Sequence, residues 1–347
     1  MVVTTKAVTR RRWLGGLAAG AWSAAAVACG PTSSAGPGTT GEPRRETASS
    51  NVPPAVNVPG RLLYVGDSNV WLWEKGSARK LTNDRISRQP AWSPDGKRIA
   101  HVKLDVSSSE LWLMDGDGAS SRQLTNNTNT VVAFNNWAFR PTWWPDGSYL
   151  LYLSEERTND LMLWQITLDG KTHKPFLTMP DLEGGLDMPS VAPDGKRLAL
   201  VSYRGPGGRS QVWTYALPSG PWRQLTEAPD GAYDPQWSPD GTRIAFALRT
   251  GGRNDVYVMA ADGSNPLPVT RTGSARAPCW SPDGQQLAYI SSETGGFELW
   301  VATLAGTRLA PTGTAGAPRP ADTALPPSRQ LTRGALIDAV SGLSWSK

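Results

Sequence analysis

Along residues 61–347 the chain alternates short apolar runs with polar, turn-forming residues, and the alternation recurs with a fixed internal order. Five apolar runs begin one residue after a Pro-Asp-Gly triplet: RIAHV from Arg98, YLLYL from Tyr149, RLALV from Arg197, RIAFA from Arg243 and QLAYI from Gln286. Each is followed by a variable polar stretch and then a second apolar run: LWLMD, LMLWQI, QVWTYAL, DVYVMA and ELWVATL. A turn, often Asp-Gly, leads to a third run ending in Leu-Thr or Val-Thr at Thr125, Thr178, Thr226, Thr270 and Thr332. Runs this short, nearly continuous in apolar character and bounded by turn residues, predict strands covered on both faces rather than helices.

The residues before each first run sharpen the repeat. They read Trp92-Ser-Pro-Asp-Gly96, Trp143-Trp-Pro-Asp-Gly147, Val191-Ala-Pro-Asp-Gly195, Trp237-Ser-Pro-Asp-Gly241 and Trp280-Ser-Pro-Asp-Gly284, and their first residues are 51, 48, 46 and 43 positions apart. Proline pre-sets one turn dihedral, aspartate caps the turn with its side chain, and glycine accepts positive φ. Four strands per unit of 40–50 residues, repeated, predict a β-propeller, whose blades cover one another's faces. Before the first full unit, RLLYV from Arg61, NVWLWEKG from Asn69 and RKLT ending at Thr82 supply a second, third and fourth strand without a first. Gly342-Leu-Ser-Trp-Ser346 supplies that first strand. The expectation is an all-β, six-bladed propeller of four-stranded blades, closed by a C-terminal strand pairing with N-terminal strands, which leaves no open edge at the seam.

This repeated phrase and its terminal closure resemble the TolB-like six-bladed propellers over residues 61–347. The resemblance implies an exported protein of the cell envelope that binds other envelope proteins and has no catalytic role. Related propellers also serve as gating domains of prolyl-peptidase-like enzymes and as oligogalacturonate lyases, so the resemblance speaks for architecture more than for activity.

Composition changes the picture mainly at the N-terminus. The formal charge is +5, but residues 1–28 hold Lys6, Arg10, Arg11 and Arg12 and no acid, leaving 31 basic against 30 acidic groups elsewhere. No nucleic-acid partner is expected from so balanced a body. Residues 1–28 read as an export signal, basic and then apolar from Trp13 to Ala28. The stretch Ala26-Val27-Ala28-Cys29-Gly30 resembles a bacterial lipoprotein box, with Cys29 as the lipid attachment site. Thr9 to Leu14 resembles a twin-arginine motif with Trp13 where phenylalanine is typical; twin-arginine and general secretory export both stay open. Residues 29–60, rich in Pro, Gly, Ser and Thr, read as a flexible tether, and residues 306–327 as a disordered insertion between the third and fourth strands of one unit. The expected product is a monomeric, extracytoplasmic lipoprotein that meets the membrane only through its anchor. Cys279, the other of two cysteines, reads as a core residue.

Candidate chemistry is sparse. No Gly-x-Ser-x-Gly elbow of a hydrolase occurs. His101 and His173 are the two histidines; His101 stands where sister units place Tyr64, Tyr152, Phe246 and Tyr289, and His173 lies in a polar turn. The repeated Asp95, Asp146, Asp194, Asp240 and Asp283 read as turn caps rather than calcium ligands, since each stands alone. No cofactor or metal is expected. The motif tryptophans read as packing between blades rather than as sugar platforms.

What varies between units is the approach to each motif. Four and three residues before its first residue stand Arg88-Gln89, Phe139-Arg140, Asp187-Met188, Tyr233-Asp234, Arg276-Ala277 and, at the C-terminal strand, Ser341-Gly342, each of the first five pairs followed by proline. These pairs belong at the channel mouth, at the end of the ring away from the Pro-Asp-Gly turns. Arg88, Phe139, Arg140, Asp187, Tyr233, Asp234 and Arg276 are therefore the candidate site for a protein or peptide partner, with drift of loop sequence as the competing reading. The function expected is a non-catalytic, protein-binding or scaffolding propeller; the alternative is a carbohydrate-binding or carbohydrate-cleaving one that uses the central channel.

Overall fold

The computed structural model describes residues 58–156, 160–177, 185–204, 206–304 and 324–347. Among these the strands form six four-stranded antiparallel sheets. The seam blade is built from Ser344–Ser346, Arg61–Gly66, Asn69–Glu74 and Ser77–Lys80, in that spatial order. Blade two follows as Ser87–Trp92, Arg98–Leu104, Ser109–Asp115 and Arg122–Gln123. Blade three is Phe139–Trp143, Tyr149–Ser154, Met162–Thr167 and His173–Leu177, and blade four is Leu186–Val191, Arg197–Ser202, Gln211–Ala216 and Trp222–Gln224. Blade five is Ala232–Trp237, Arg243–Thr250, Arg253–Ala260 and Leu267–Pro268; blade six is Arg276–Trp280, Gln286–Ser291, Glu298–Thr303 and Ser328–Gln330. The first strands of successive blades touch in an unbroken cycle, from Ser87–Trp92 round to Ser344–Ser346 and back, so they line the axis of a closed propeller.

The seam closes as the sequence predicts. Ser344–Ser346 pairs antiparallel with Arg61–Gly66, with Leu62 opposite Trp345. The Trp345 indole N–H donates to the Pro59 carbonyl at 2.7 Å, and Val58 is buried. Residues 58–60, assigned to the tether from their composition, therefore belong to the propeller, because the seam tryptophan needs a partner for its N–H. The export signal, Cys29, residues 29–57 and most of the insertion (305–323) lie outside the described residues.

At the Pro-Asp-Gly end the repeat is mechanical. The Asp95 carboxylate accepts from the Ser93 hydroxyl at 2.6 Å and from the Lys97 N–H at 3.0 Å; Asp240 and Asp283 repeat this with Ser238 and Thr242, and with Ser281 and Gln285. The serine hydroxyl bond, with backbone help, holds Asp95 and Asp283 below the usual carboxylate range. The glycines at 96, 147, 195, 241 and 284 all have positive φ, a conformation that costs other residues about 1 kcal/mol or more.

The motif tryptophans are buried against the preceding blade: Trp92 with Leu63, Val70 and Leu72, Trp237 with Ala199 and Val212, and Trp280 with Ala245, Val256 and Val258. Over each lies an arginine from that preceding blade. Arg61 sits 4.3 Å above Trp92, Arg197 4.4 Å above Trp237 and Arg243 4.5 Å above Trp280, with Arg98 at 5.7 Å from Trp143. Arg61, Arg197 and Arg243 also donate to the carbonyls of Gly96, Gly241 and Gly284 in the next blade. This clamp was not legible from the motif alone, since the arginine of one unit serves the tryptophan of the next. The chain supplies its own control. Val191 replaces the tryptophan of blade four, and the residue that would cover it is Tyr149, which stacks instead on its own neighbour Trp144 at 5.0 Å.

The Leu-Thr endings do equivalent work at the other end. The hydroxyls of Thr82, Thr125, Thr226, Thr270 and Thr332 accept the N–H of Val70, Leu111, Val212, Val256 and Leu299 in the third strands. They donate to Asn69, Glu110, Gln211, Asp255 and Glu298, whose side chains then take backbone N–H groups of the loop that enters the next blade. Among the described residues no helix is long and apolar enough to cross a membrane.

Candidate functional site: the channel mouth

Because the strands alternate in direction, turns joining first to second and third to fourth strands lie at the Pro-Asp-Gly end. Loops joining second to third strands, and fourth strands to the next blade, lie at the mouth. At the mouth the first strands of blades two to six carry the same irregularity, and a residue just before the seam strand shares its left-handed backbone. Gln89, Arg140, Met188, Asp234 and Ala277 have φ between 49° and 54°, and Gly342 has φ 75°. Pairing with the second strand is interrupted at these places, between Arg88 and Ala91 and at the equivalent positions of blades three to six. A left-handed residue followed by proline, which offers no ladder N–H, makes a bulge that turns the strand and re-aims its side chains.

The re-aimed side chains form a chain of contacts around the axis. The Gln89 side-chain carbonyl accepts from the Arg140 N–H at 2.7 Å, Met188 sulfur from the Asp234 N–H at 3.1 Å, and the Asp234 carboxylate from the Ala277 N–H at 3.1 Å. Ion pairs cross the same junctions: Arg140 with Asp187 at 3.4 Å, and Arg276 with Asp234 at 3.5 Å, the latter without hydrogen-bond geometry at Nε. Arg140 also donates to the Val340 carbonyl at 2.7 Å, reaching from blade three to the segment before the seam strand. Arg88 pairs with Asp338 of that segment at 3.4 Å and donates to the Ser68 hydroxyl.

Of the seven residues singled out from the sequence, six meet in this ring. Arg88, Arg140, Tyr233 and Arg276 are half-buried, whereas Asp187 and Asp234 are buried by their arginine partners. Phe139 departs from the expectation of a contact residue: it is 2 % exposed and stacked on Trp137 at 5.8 Å, so it supports the mouth from below. Two residues escaped sequence reasoning. Tyr203 lies among Asp187, Arg140, Tyr233 and Asp234, with its hydroxyl pKa pushed up by burial and then by the Asp187 charge. Asp338 joins from the loop before the seam strand. Neither occupies a repeated position, so no pattern marks them.

The histidines do not join the site. His101 is fully buried opposite Trp112, in the place its sister aromatics take, and burial lowers its pKa to about 4, with the nearby Lys103 charge adding to the effect. His173 begins the outer strand of blade three rather than sitting in the turn, and lies 3.2 Å from Glu156. Cys279 is buried, its thiol pushed up to about 12 by burial. Among the described residues no three His, Cys, Asp or Glu side chains gather as a metal site.

Residues 185–319 match the family described as the TolB beta propeller domain. The fold is a six-bladed propeller similar to that of TolB. It is 33 % identical over 110 residues to the Tol-Pal system protein TolB of Anaeromyxobacter dehalogenans, covering 31 % of this chain and 24 % of that protein. An uncharacterized peptidase, YuxL of Bacillus subtilis, is 27 % identical over 202 residues, 55 % of this chain and 28 % of that protein. The matches thus span about a quarter of the length of these relatives. Among solved structures, TolB from Acinetobacter baumannii superimposes with a TM-score of 0.59 at 22 % identity, over 71 % of this chain and 62 % of that one. A protein provisionally described as TolB from Agrobacterium tumefaciens gives 0.58 at 16 % identity, over 79 % and 88 %. At such identities the likeness is one of fold.

Proposed function

We propose that this TolB-like propeller is a non-catalytic module that binds a protein or peptide partner of the cell envelope at its channel mouth. The observation that carries the reading is the contrast within the first strands. Five bulges of one geometry, with left-handed Gly342 at the equivalent place before the seam strand, present six different residue pairs, and those pairs supply three arginines, two aspartates and a tyrosine. A frame held constant while its side chains vary is what a recognition surface requires, and arginine and tyrosine are the residue types that most often dominate interface energetics. The likeness to a Tol-Pal system protein favours an envelope partner. His101, on which a channel lyase would depend, is fully buried inside a blade, opposite Trp112. Export and lipidation at Cys29 complete the proposal and place the propeller on the extracytoplasmic side of a membrane.

The test is affinity purification of the intact protein from its native cells, with Arg88, Arg140, Tyr233 and Arg276 changed singly to alanine. A partner recovered with the wild type and lost with two or more variants of unchanged melting temperature supports the reading. Cleavage of an envelope polysaccharide or a pectin-like sugar by the purified chain overturns it. Cys29→Ser is expected to move the protein from the membrane fraction to the soluble one.

A further inference from the structure

Of the described residues, the large apolar side chains left in solvent are Val106, Val131, Val132, Phe134, Phe297 and Leu336. All six lie on mouth-side loops: Val106 and Phe297 between second and third strands, the others between a fourth strand and the next blade. They occupy one arc, from blade six across the seam to blade three, while the mouth loops of blades four and five contribute none.

The densest part of the arc is an arch in which two loops are tied together. The Asn135 side-chain amide donates to the Ser107 carbonyl and hydroxyl, both at 3.2 Å, and Ser108 bonds Thr128 at 3.2 Å. From within, the Asn135 oxygen takes the Asn129 N–H at 2.7 Å and the buried Glu110 carboxylate takes the Asn127 N–H at 2.7 Å. The polar side chains of the arch are thus spent on holding its own shape, while Val106 (96 % exposed), Val132 and Phe134 (each 61 %) point outward. Residues 125–137 contain no charged side chain.

We propose that this arch is the docking platform for an uncharged, apolar segment of a partner protein, which continues from the arch into the channel mouth. The inference rests on the mouth-binding reading above and adds the chemistry of the partner. An exposed apolar cluster on a braced frame gains from being covered by apolar surface. The 125–137 loop has no charge to pair with, and the carboxylate of the other loop, Asp105, is taken by the Val106 N–H, so a segment without charge fits best. A lipid surface fits less well. Lying flat on it would strip water from the ion pairs of Arg88 and Arg140 on the neighbouring first strands, and dehydrating ions is costly. A protein segment leaves them wet or meets them with its own polar groups.

The probe is a random twelve-residue peptide library displayed on phage and panned against the full-length chain. Selected sequences should be rich in aromatic and branched aliphatic residues. As synthetic peptides they should bind at least tenfold more weakly to Val132→Ser/Phe134→Ser, and also more weakly to Val106→Ser, whose loop lies on the other side of the arch. Both variants should melt with the wild type, since the changed side chains touch solvent. Peptides that bind the arch variants unchanged but are lost with Arg276→Ala overturn this inference and leave the mouth-binding reading intact. A library that yields no binder, uncharged phosphatidylcholine vesicles bound by the wild type and released by the double variant, or a dimer abolished by it, also overturn it.

Discussion

At the Pro-Asp-Gly end of the ring the repeats impose the same residues on four of the six blades: a capped turn, a buried tryptophan, an arginine laid over it from the neighbour. At the mouth the backbone repeats just as faithfully, with a left-handed residue in five first strands and just before the sixth, yet the side chains do not. The two ends differ in what their side chains are used for. At the first, identity is needed because each residue completes a junction whose partner is also a repeat. At the mouth the junction is made largely by backbone N–H groups, which donate to a glutamine oxygen, a methionine sulfur or a carboxylate alike. Side-chain identity is thereby freed for other use.

The comparison is broken most severely at the seam. Deleting residues 343–347 removes the first strand of the seam blade and exposes the edge of Arg61–Gly66. We expect loss of the cooperative thermal transition and aggregation on size exclusion; a soluble, cooperatively melting product would refute closure by strand pairing. Next come the buried aromatics. Trp237→Ala is expected to cost about 3–5 kcal/mol in denaturant titration, and Phe139→Ala a similar amount although it stands at the mouth. A near-neutral Phe139→Ala would return that residue to the contact surface.

His101 tests the core through pH. Its folded pKa of about 4 lies below the ordinary 6.5, so between those values the unfolded chain binds more protons than the folded one. Stability is full above pH 6.5 and falls as the pH drops towards 4, by about 3 kcal/mol for a 2.5-unit difference. The charges facing the ring are Lys103 and Asp84, themselves paired at 3.1 Å. His101→Phe, which restores the residue of a sister blade, should flatten this acid limb; equal limbs in both proteins would rule the histidine out as its source.

Smaller effects separate the two ends most finely. Arg197→Ala should cost about 1 kcal/mol, and a double-mutant cycle with Trp237→Ala should show coupling of roughly 0.5–1 kcal/mol. At the mouth, Arg276→Ala should cost about 1–2 kcal/mol, because it leaves the buried Asp234 carboxylate without its ion partner, while changing what the propeller binds. A mouth variant as costly as Trp237→Ala would mean that the ring serves folding rather than recognition.

Much of the fold was legible because periodic residues leave periodic marks. Trp-Ser-Pro-Asp-Gly carries its own turn chemistry, the apolar runs carry their strand length, and the seam was visible as a unit divided between two parts of the chain. The mouth was legible only as variation. Arg88, Arg140, Asp187, Tyr233, Asp234 and Arg276 could be placed there by counting back from the motif, but their pairings could not, because each pairing joins residues some 40–50 positions apart or farther. Tyr203 and Asp338 left no mark, and Phe139 looked like a contact residue until Trp137 was found against it.

By itself, then, the sequence determined the strands, their turns, the number of blades and the closure, since these follow from local dihedral preferences and from apolar runs that must be covered. Tertiary structure alone decided which arginine covers which tryptophan, which mouth residues are buried, and that the exposed apolar side chains share one end of the ring. Those outcomes depend on the neighbouring blade, whose position is set by closing the whole circle and not by any residue nearby in the chain.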